Sequence, residues 1–298
     1  MTTIANPAAM TAFLDHDMLG EGPYWLPGLR LLSRVDIHGG DVVLCDPVTG
    51  EHRRHHVGNP VAFAIPRAGG GFVAGIGMTV TLLDEDFEPT PLVDIGPERD
   101  ENRFNDALCD AQGRLWAGTM SAKRPRDLGT GEAALYRFDP DGAHEEVLSG
   151  LTLSNGMDWV DDGHALLHID SDAHRLDRYD VDVDAGRLSN RRTVVEFDHA
   201  LGLPDGMTVD SEGGIWVAFF GSGQVRRYDA TGAEQVRYTL PTSCPSSVML
   251  GGDDLRDLYV TTSSHRLTEE EAQRQNLAGS VLRIRVDVPG RPQYPFAG

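Results

Sequence analysis

The fold class predicted by this sequence is all-β, a six-bladed β-propeller, and three observations predict it. A short pattern, a turn with Asp or Gly followed by an apolar strand, recurs six times along the chain. A second pattern, a strand running into an acidic turn, follows each copy. Long amphipathic helices are absent. Six copies of a multi-strand unit at a spacing of about 40–50 residues suit a ring of small antiparallel sheets, one sheet per copy.

The first pattern reads GLRLLSRVD from Gly28, GGGFVAGIG from Gly69, QGRLWAGTM from Gln112, DGHALLHID from Asp162, EGGIWVAFF from Glu212 and LRDLYVTTS from Leu255. Trp116 and Trp216 hold the same place in the third and fifth copies. The second pattern reads VVLCDPVTGE, VTLLDEDFEP, ALYRFDPDGA, RLDRYDVDVDAGR, QVRRYDATGAE and SVLRIRVDVPG. Within it Tyr136 and Phe138 alternate with Leu135 and Arg137, and Val225 and Arg227 alternate with Arg226 and Tyr228. Period-two alternation predicts half-buried strands. The one helix predicted runs from Thr268 to about Asn276, opens with a Thr268…Glu271 capping box and interrupts the last blade. Residues 1–298 are expected to form one propeller domain.

Composition narrows the classes of function. Of the 298 residues 40% are hydrophobic, enough for a globular core, and 34 Gly with 17 Pro supply many turns. A formal net charge of −20 argues against nucleic acid as a partner, because phosphate binding needs a basic face. The same charge draws cations towards the protein. Cys45, Cys109 and Cys244 are odd in number and form no CxxC pair, which predicts reduced thiols in a reducing compartment. The first residues, MTTIANPAAMTAFLD, lack the basic start and apolar run of a signal peptide. No stretch reaches the length of a membrane span. The expectation is a cytoplasmic protein with no membrane partner, a monomer or a weak homo-oligomer.

A propeller gathers function on its axis, where the innermost strands of all blades converge. The residues expected at the start of those strands are Glu21, Asn59, Asn105, Asn155, Asp205 and the segment Pro245 to Ser247. Asn and Asp before Gly or Pro form turns in their own right. Glu21 is different, since Gly22-Pro23 already supplies its bend. Two carboxylates, Glu21 and Asp205, brought together on one axis repel each other. One divalent cation removes that cost, and Asn155 adds a neutral oxygen. Such an oxygen-rich set suits Ca²⁺, Mg²⁺ or Mn²⁺ and also accepts Zn²⁺ or Fe²⁺.

Other constellations read as structure. His52, His55 and His56 form an HxxHH cluster among arginines, expected to be a solvated hairpin turn. His164, His168 and His174 lie in or beside one blade without supporting cysteines, so a zinc site is not expected there. Asp180, Asp182 and Asp184 resemble a calcium loop but lack the Gly and final Glu in register, and predict a blade hairpin. HExxH, a P-loop and GxSxG are absent.

The motifs GEGPYW, NRFND, GRLWAGTM, LSNGMDW, IDS, LSNRR and PDGMTVDSEGGIWVA, together spanning Leu19 to the final YPFAG, carry a family likeness. The chain resembles the SMP-30/gluconolactonase/regucalcin family. The resemblance implies a six-bladed propeller with one divalent metal on its axis and hydrolysis of a sugar-acid lactone of the aldonolactone class. It makes Glu21, Asn155 and Asp205 the metal ligands, Asp205 also the general base, and Arg103 and Asn105 the groups that orient substrate. The sequence departs from the family where Ser121-Ala122-Lys123 follows GTM, and Lys123 at the rim is expected to bear on substrate. Leu32-Ser33-Arg34 and His168 replace more usual aromatics, changes expected to touch substrate identity. The alternative is a calcium-binding or docking propeller whose metal is purely structural. Arg103 discriminates, because a structural ion has no use for a guanidinium beside it.

Overall fold

In a computed structural model, which describes residues 3–5 (backbone only), 10–96, 102–121 and 131–298, the strands form six sheets arranged as propeller blades. Their innermost strands are Gly20–Leu26, Val61–Pro66, Asn102–Cys109, Ser154–Val160, Leu203–Val209 and Pro245–Gly251, in blades 1 to 6. The six apolar repeats form the second strand of each blade and the six acidic-turn repeats the third, as the sequence predicts. Each of the first five blades adds an outer strand from its own segment. Blade 6 takes its outer strand, Met10–Phe13, from the beginning of the chain, antiparallel to Val281–Arg285. This pairing closes the ring. Thr3–Ala5 adds a parallel fifth strand to blade 5 beside Glu234–Thr239.

The core is distributed between blades. One apolar cluster fills each of the six interfaces; Phe63, Val73, Phe104 and Phe138 join blades 2 and 3, and Trp116, Leu135, Trp159 and Leu166 join blades 3 and 4. A strand in the middle of a blade therefore packs on both faces. Leu135, Tyr136 and Phe138 are all buried, because opposite faces of one strand meet different neighbours. Half-burial, expected from the alternation, gives way to this two-sided packing. The outer strands carry the exposed positions instead. His52–His56 is one of them, a strand paired with Asp41–Cys45, where the sequence pattern predicts a turn. Its histidines diverge: His55 stacks on Phe87 at 3.8 Å, while His56 meets Asp41 at 3.0 Å. The helix is Glu269–Arg274, capped by Thr268 with the predicted box to Glu271.

Two equivalent aspartates explain the twin tryptophans. At the end of the innermost strand of blade 3, Asp110 accepts hydrogen bonds from the Gln112 and Arg114 backbone amides and from Trp116 Nε1 at 2.8 Å. In blade 5 Asp210 accepts from the Glu212 and Gly214 amides, from Trp216 Nε1 at 3.0 Å and from Arg227. Each carboxylate folds its turn and pins the next strand's indole.

Two further devices hold the ring. Arg34, fully buried, donates to Asp17 and Asp15 at 2.6 Å each, tying blade 1 to the segment that follows the closing strand. The C-terminal segment crosses the far end of the innermost strands. It accepts from Ser211 through Pro289 O and from Ala68 through Phe296 O, and Arg291 reaches Asp158 at 3.3 Å. Among the described residues no helix is long and apolar enough to cross a membrane.

Replacing Asp210 strips partners from the buried Trp216 indole and the partly buried Arg227 guanidinium at once. Asp210→Ala is expected to lose about 3–5 kcal/mol of stability, read as a lower urea midpoint. A loss below about 1 kcal/mol would show that the turn holds without its carboxylate.

Candidate functional site

Every innermost strand carries a register shift near its beginning. The shifts fall at Glu21/Tyr24, Val61/Phe63, Phe104/Ala107, Ser154/Met157, Pro204/Met207 and Pro245/Ser247. A β-bulge leaves a residue out of the ladder and re-aims its side chain. Asn105, Asn155 and Asp205 stand within such bulges and Glu21 at the edge of one. Asn and Asp before Gly or Pro suggested turns; the observed feature is a bulge inside a strand.

Glycine permits the bulges to meet. A Cβ on Gly156 would stand 2.5 Å from Asp205 O and 2.7 Å from Met207 N; one on Gly206 would stand 2.1 Å from Ser247 Oγ. Backbones of neighbouring innermost strands therefore touch where these glycines lie, and the residue before each glycine is carried to the axis.

The result is one cavity of about 270 Å³ at the mouth of the channel. Glu21, Asn155 and Asp205 line it together with Arg103 and Asn105. Asn155 Nδ2 donates to Asp205 Oδ1 at 2.5 Å and to Ser171 Oγ at 3.0 Å. Arg103 donates to Asn105 Oδ1 at 3.0 Å and to Phe104 O at 2.7 Å, and Asn105 Nδ2 donates to Ser154 O at 3.0 Å. The guanidinium is thus set in place by its own strand, and its asparagine is tied to the next blade.

Electrostatics mark the floor of the cavity. Burial first, and then the negative charges of Asp205 and Asp106, push the Glu21 carboxyl well above the usual carboxylate range. Asp106, deeper in the channel, is pushed up to about 6 by burial. Like charges in a poorly solvated space destabilise one another's ionised forms. Glu21, Asp205, Asn155, Asn105 and Ser171 are among the oxygen-bearing side chains that line this cavity.

Two expected participants fall elsewhere. Asn59 precedes its strand, is exposed and donates to His38 O at 2.6 Å, outside the cavity lining. Lys123 lies outside the described residues. The departures at Arg34 and His168 are interior features. Arg34 serves the blade interface, and His168 is buried with Nε2 2.8 Å from Ser154 Oγ, its pKa lowered to about 4 by burial. Neither lines the cavity, so substrate identity is not theirs to set through contact.

Other lining residues were not singled out by the sequence pattern: His38, Phe220, His265 and Arg266 among them. The rings of His38 and His265 stand 4.4 Å apart, and Arg266 lies over the Phe220 ring at 5.7 Å. Repeat equivalence was the available signal. His265-Arg266 follows the second strand of blade 6 as Ala122-Lys123 follows that of blade 3.

A propeller with acidic and amide oxygens gathered at the axis, beside an arginine held by its neighbours, defines the class. The chain belongs to the SMP-30/Gluconolactonase/LRE-like region family, which it matches over residues 19–264. Among its relatives, regucalcin of Gallus gallus is 35% identical over 288 residues, covering 95% of this chain and 96% of that one. YvrE of Bacillus subtilis, whose name assigns it to the sugar lactone lactonases, is 33% identical over 306 residues, covering 97% and 99%. A luciferin-regenerating enzyme of solved structure superposes with a TM-score of 0.89 at 29% identity, covering 97% of this chain and 99% of that one. A calcium-binding regucalcin from Agrobacterium tumefaciens superposes with a TM-score of 0.93 at 22% identity over the full length of both, a likeness of fold.

The close approach at Gly156 gives a direct test. Gly156→Ala is expected to cost about 1–3 kcal/mol through overpacking against backbone, and to weaken divalent-ion binding by moving Asp205. Gly28→Ala, where a Cβ meets nothing within 4 Å, is the control. Equal melting temperatures and equal ion affinity for the two variants would show that the strands do not rely on this contact.

Proposed function

We propose that the protein is a metal-dependent hydrolase that opens a sugar-acid lactone to the open-chain acid. The observation that carries the reading is the axial cavity lined by Glu21, Asn155, Asp205, Arg103 and Asn105. Family membership and the lactonase named among the relatives support it. The donor set fits a divalent cation on its own chemistry: two carboxylates that repel each other, plus an amide oxygen, are hard oxygen ligands in need of positive charge. A cation bound there supplies Lewis acidity to the lactone carbonyl.

The chain's own residues perform the remaining work. Asp205 accepts a proton from the attacking water as a positioned general base. The acyl–oxygen bond of the ring breaks, and the proton passes to the departing ring oxygen, leaving the acid. Arg103, fixed by Asn105 and the Phe104 carbonyl, holds the substrate's oxygens so that the carbonyl meets the floor in one orientation. Glu21, Asn155 and Asp205 would hold the cation, and Asp205 would in addition exchange the proton. Residues 1–298 act as one propeller domain on this reading. The three buried free cysteines agree with a reducing, cytoplasmic setting, and the same reading takes the protein as a monomer or weak homo-oligomer.

Chelation is expected to abolish lactone hydrolysis, and adding back Ca²⁺, Mg²⁺, Mn²⁺, Zn²⁺ or Fe²⁺ singly should restore it for at least one ion. Full turnover by protein shown to be free of metal would sink the mechanism.

Asp205→Asn keeps an oxygen for the cation but cannot take a proton at neutral pH. Its kcat should fall by roughly 10²–10⁴-fold and stay low at saturating metal, whereas excess metal should largely restore Glu21→Gln. Recovery of Asp205→Asn to near wild-type turnover in excess metal would reduce Asp205 to a ligand and move the base elsewhere.

A further inference from the structure

The cavity has a wall that the hydrolytic step does not use. Arg266, in the loop between the second strand of blade 6 and the helix, lines the same cavity as Arg103. Its guanidinium lies on the Phe220 ring and has no ion-pair partner among the described residues. The ring of His265 beside it stands tilted against that of His38. Burial holds the His38 imidazole below its ordinary pKa, and the nearby Arg103 and Arg266 guanidinium groups lower it further against the opposing Asp36 carboxylate, so both arginines bring positive charge to this side of the mouth.

Charge balance makes this wall informative. The chain carries a net charge of −20, yet this wall is cationic. On the reading above, a dication on the floor neutralises Glu21 and Asp205. Arg266 then stands on the wall with no ion-pair partner among the described residues. A neutral aldonolactone would bring no counter-charge to Arg266. Arg103 is already engaged with Asn105 and Phe104 O, whereas Arg266, its guanidinium carbon 5.7 Å from the Phe220 ring centroid, carries N–H donors that suit a planar anion. A carboxylate matches those donors with two parallel hydrogen bonds.

We propose that Arg266 is a specificity-determining residue and that the substrate is a lactone carrying a free carboxylate, the monolactone of an aldaric acid. The inference rests on the hydrolase reading and deepens it: the lactone carbonyl sits over the axial floor, and the distal carboxylate pairs with Arg266 at the blade 6 side of the rim. His265 and His38 flank the pair as hydrogen-bond donors.

The test compares D-glucaro-1,4-lactone with the neutral D-glucono-1,5-lactone and with 6-phospho-D-gluconolactone, using wild type and Arg266→Gln loaded with the activating metal. Wild type should prefer the carboxylate-bearing lactone in kcat/KM. Arg266→Gln should lose that preference by on the order of 10–100-fold, the worth of a charge-assisted bidentate contact, and Arg266→Lys should fall between the two. High salt should shrink the preference of wild type and leave the ratio of Arg266→Gln nearly flat. Titration calorimetry in the Asp205→Asn background gives a second readout: tighter binding of the acidic lactone, removed by Arg266→Gln. A wild type without preference, or an Arg266→Gln variant that loses both lactones equally, overturns the inference while leaving the hydrolase reading intact. Preference for the phosphorylated lactone overturns the carboxylate assignment. If neither lactone is turned over with any metal, the hydrolase reading falls, and calorimetry with the same lactones still decides the role of Arg266.

Discussion

Six strands can converge on one axis only if their backbones come into contact, and contact at Gly156 and Gly206 sets the geometry of the centre. A side chain at either position would press on the backbone or hydroxyl of the next blade. With hydrogen alone there, neighbouring strands close up, and the ladder accommodates the convergence by slipping register in every innermost strand. The slips aim Asn105, Asn155 and Asp205 away from the sheets and into the channel. Positioning of the site is thus a consequence of how the ring closes.

The rest of the molecule resists the strain of that arrangement. Apolar clusters between adjacent blades supply most of the cohesion, because burial of apolar surface is the main favourable term in folding. Asp110 and Asp210 lock the far turns of blades 3 and 5 through their tryptophans. The C-terminal segment spans the same far face, and the strand Met10–Phe13 completes blade 6. Buried ion pairs around Arg34 add little net stability by themselves, but breaking one would leave a charge stranded. The far end of the channel is thereby braced, and the accessible polar groups concentrate at the other end.

At that end the fold brings together groups that repel. Glu21 is forced up in pKa by burial and by its acidic neighbours. Such a local penalty persists when the surrounding structure over-determines it, and positions of this kind cluster at functional sites. The cation proposed for the floor would relieve the repulsion. Arg103 and Arg266 line the same cavity as that floor, so floor and walls form one electrostatic unit.

The sequence by itself determined the repeat, and with it the number of blades, the identity of their second and third strands and the capped helix, because these follow from local pattern and short-range hydrogen bonding. It also pointed to Glu21, Asn155, Asp205, Arg103 and Asn105, which the structure brings to one cavity, although their chemical roles rest on proposal. Outer strands such as His52–His56 escaped notice, since an exposed edge needs no apolar pattern. Asn59 was grouped with the axial residues because its dipeptide looks the same, yet its backbone precedes the strand and its side chain turns to His38. Arg34 and His168 looked like candidates for specificity and proved to be interior residues. His38, Phe220 and the pair His265-Arg266 come from three blades, and only the closed ring makes them neighbours. Local pattern fixes what each blade is; which side chains meet at the axis depends on how blades pack, a distance of one glycine hydrogen that no short-range signal encodes.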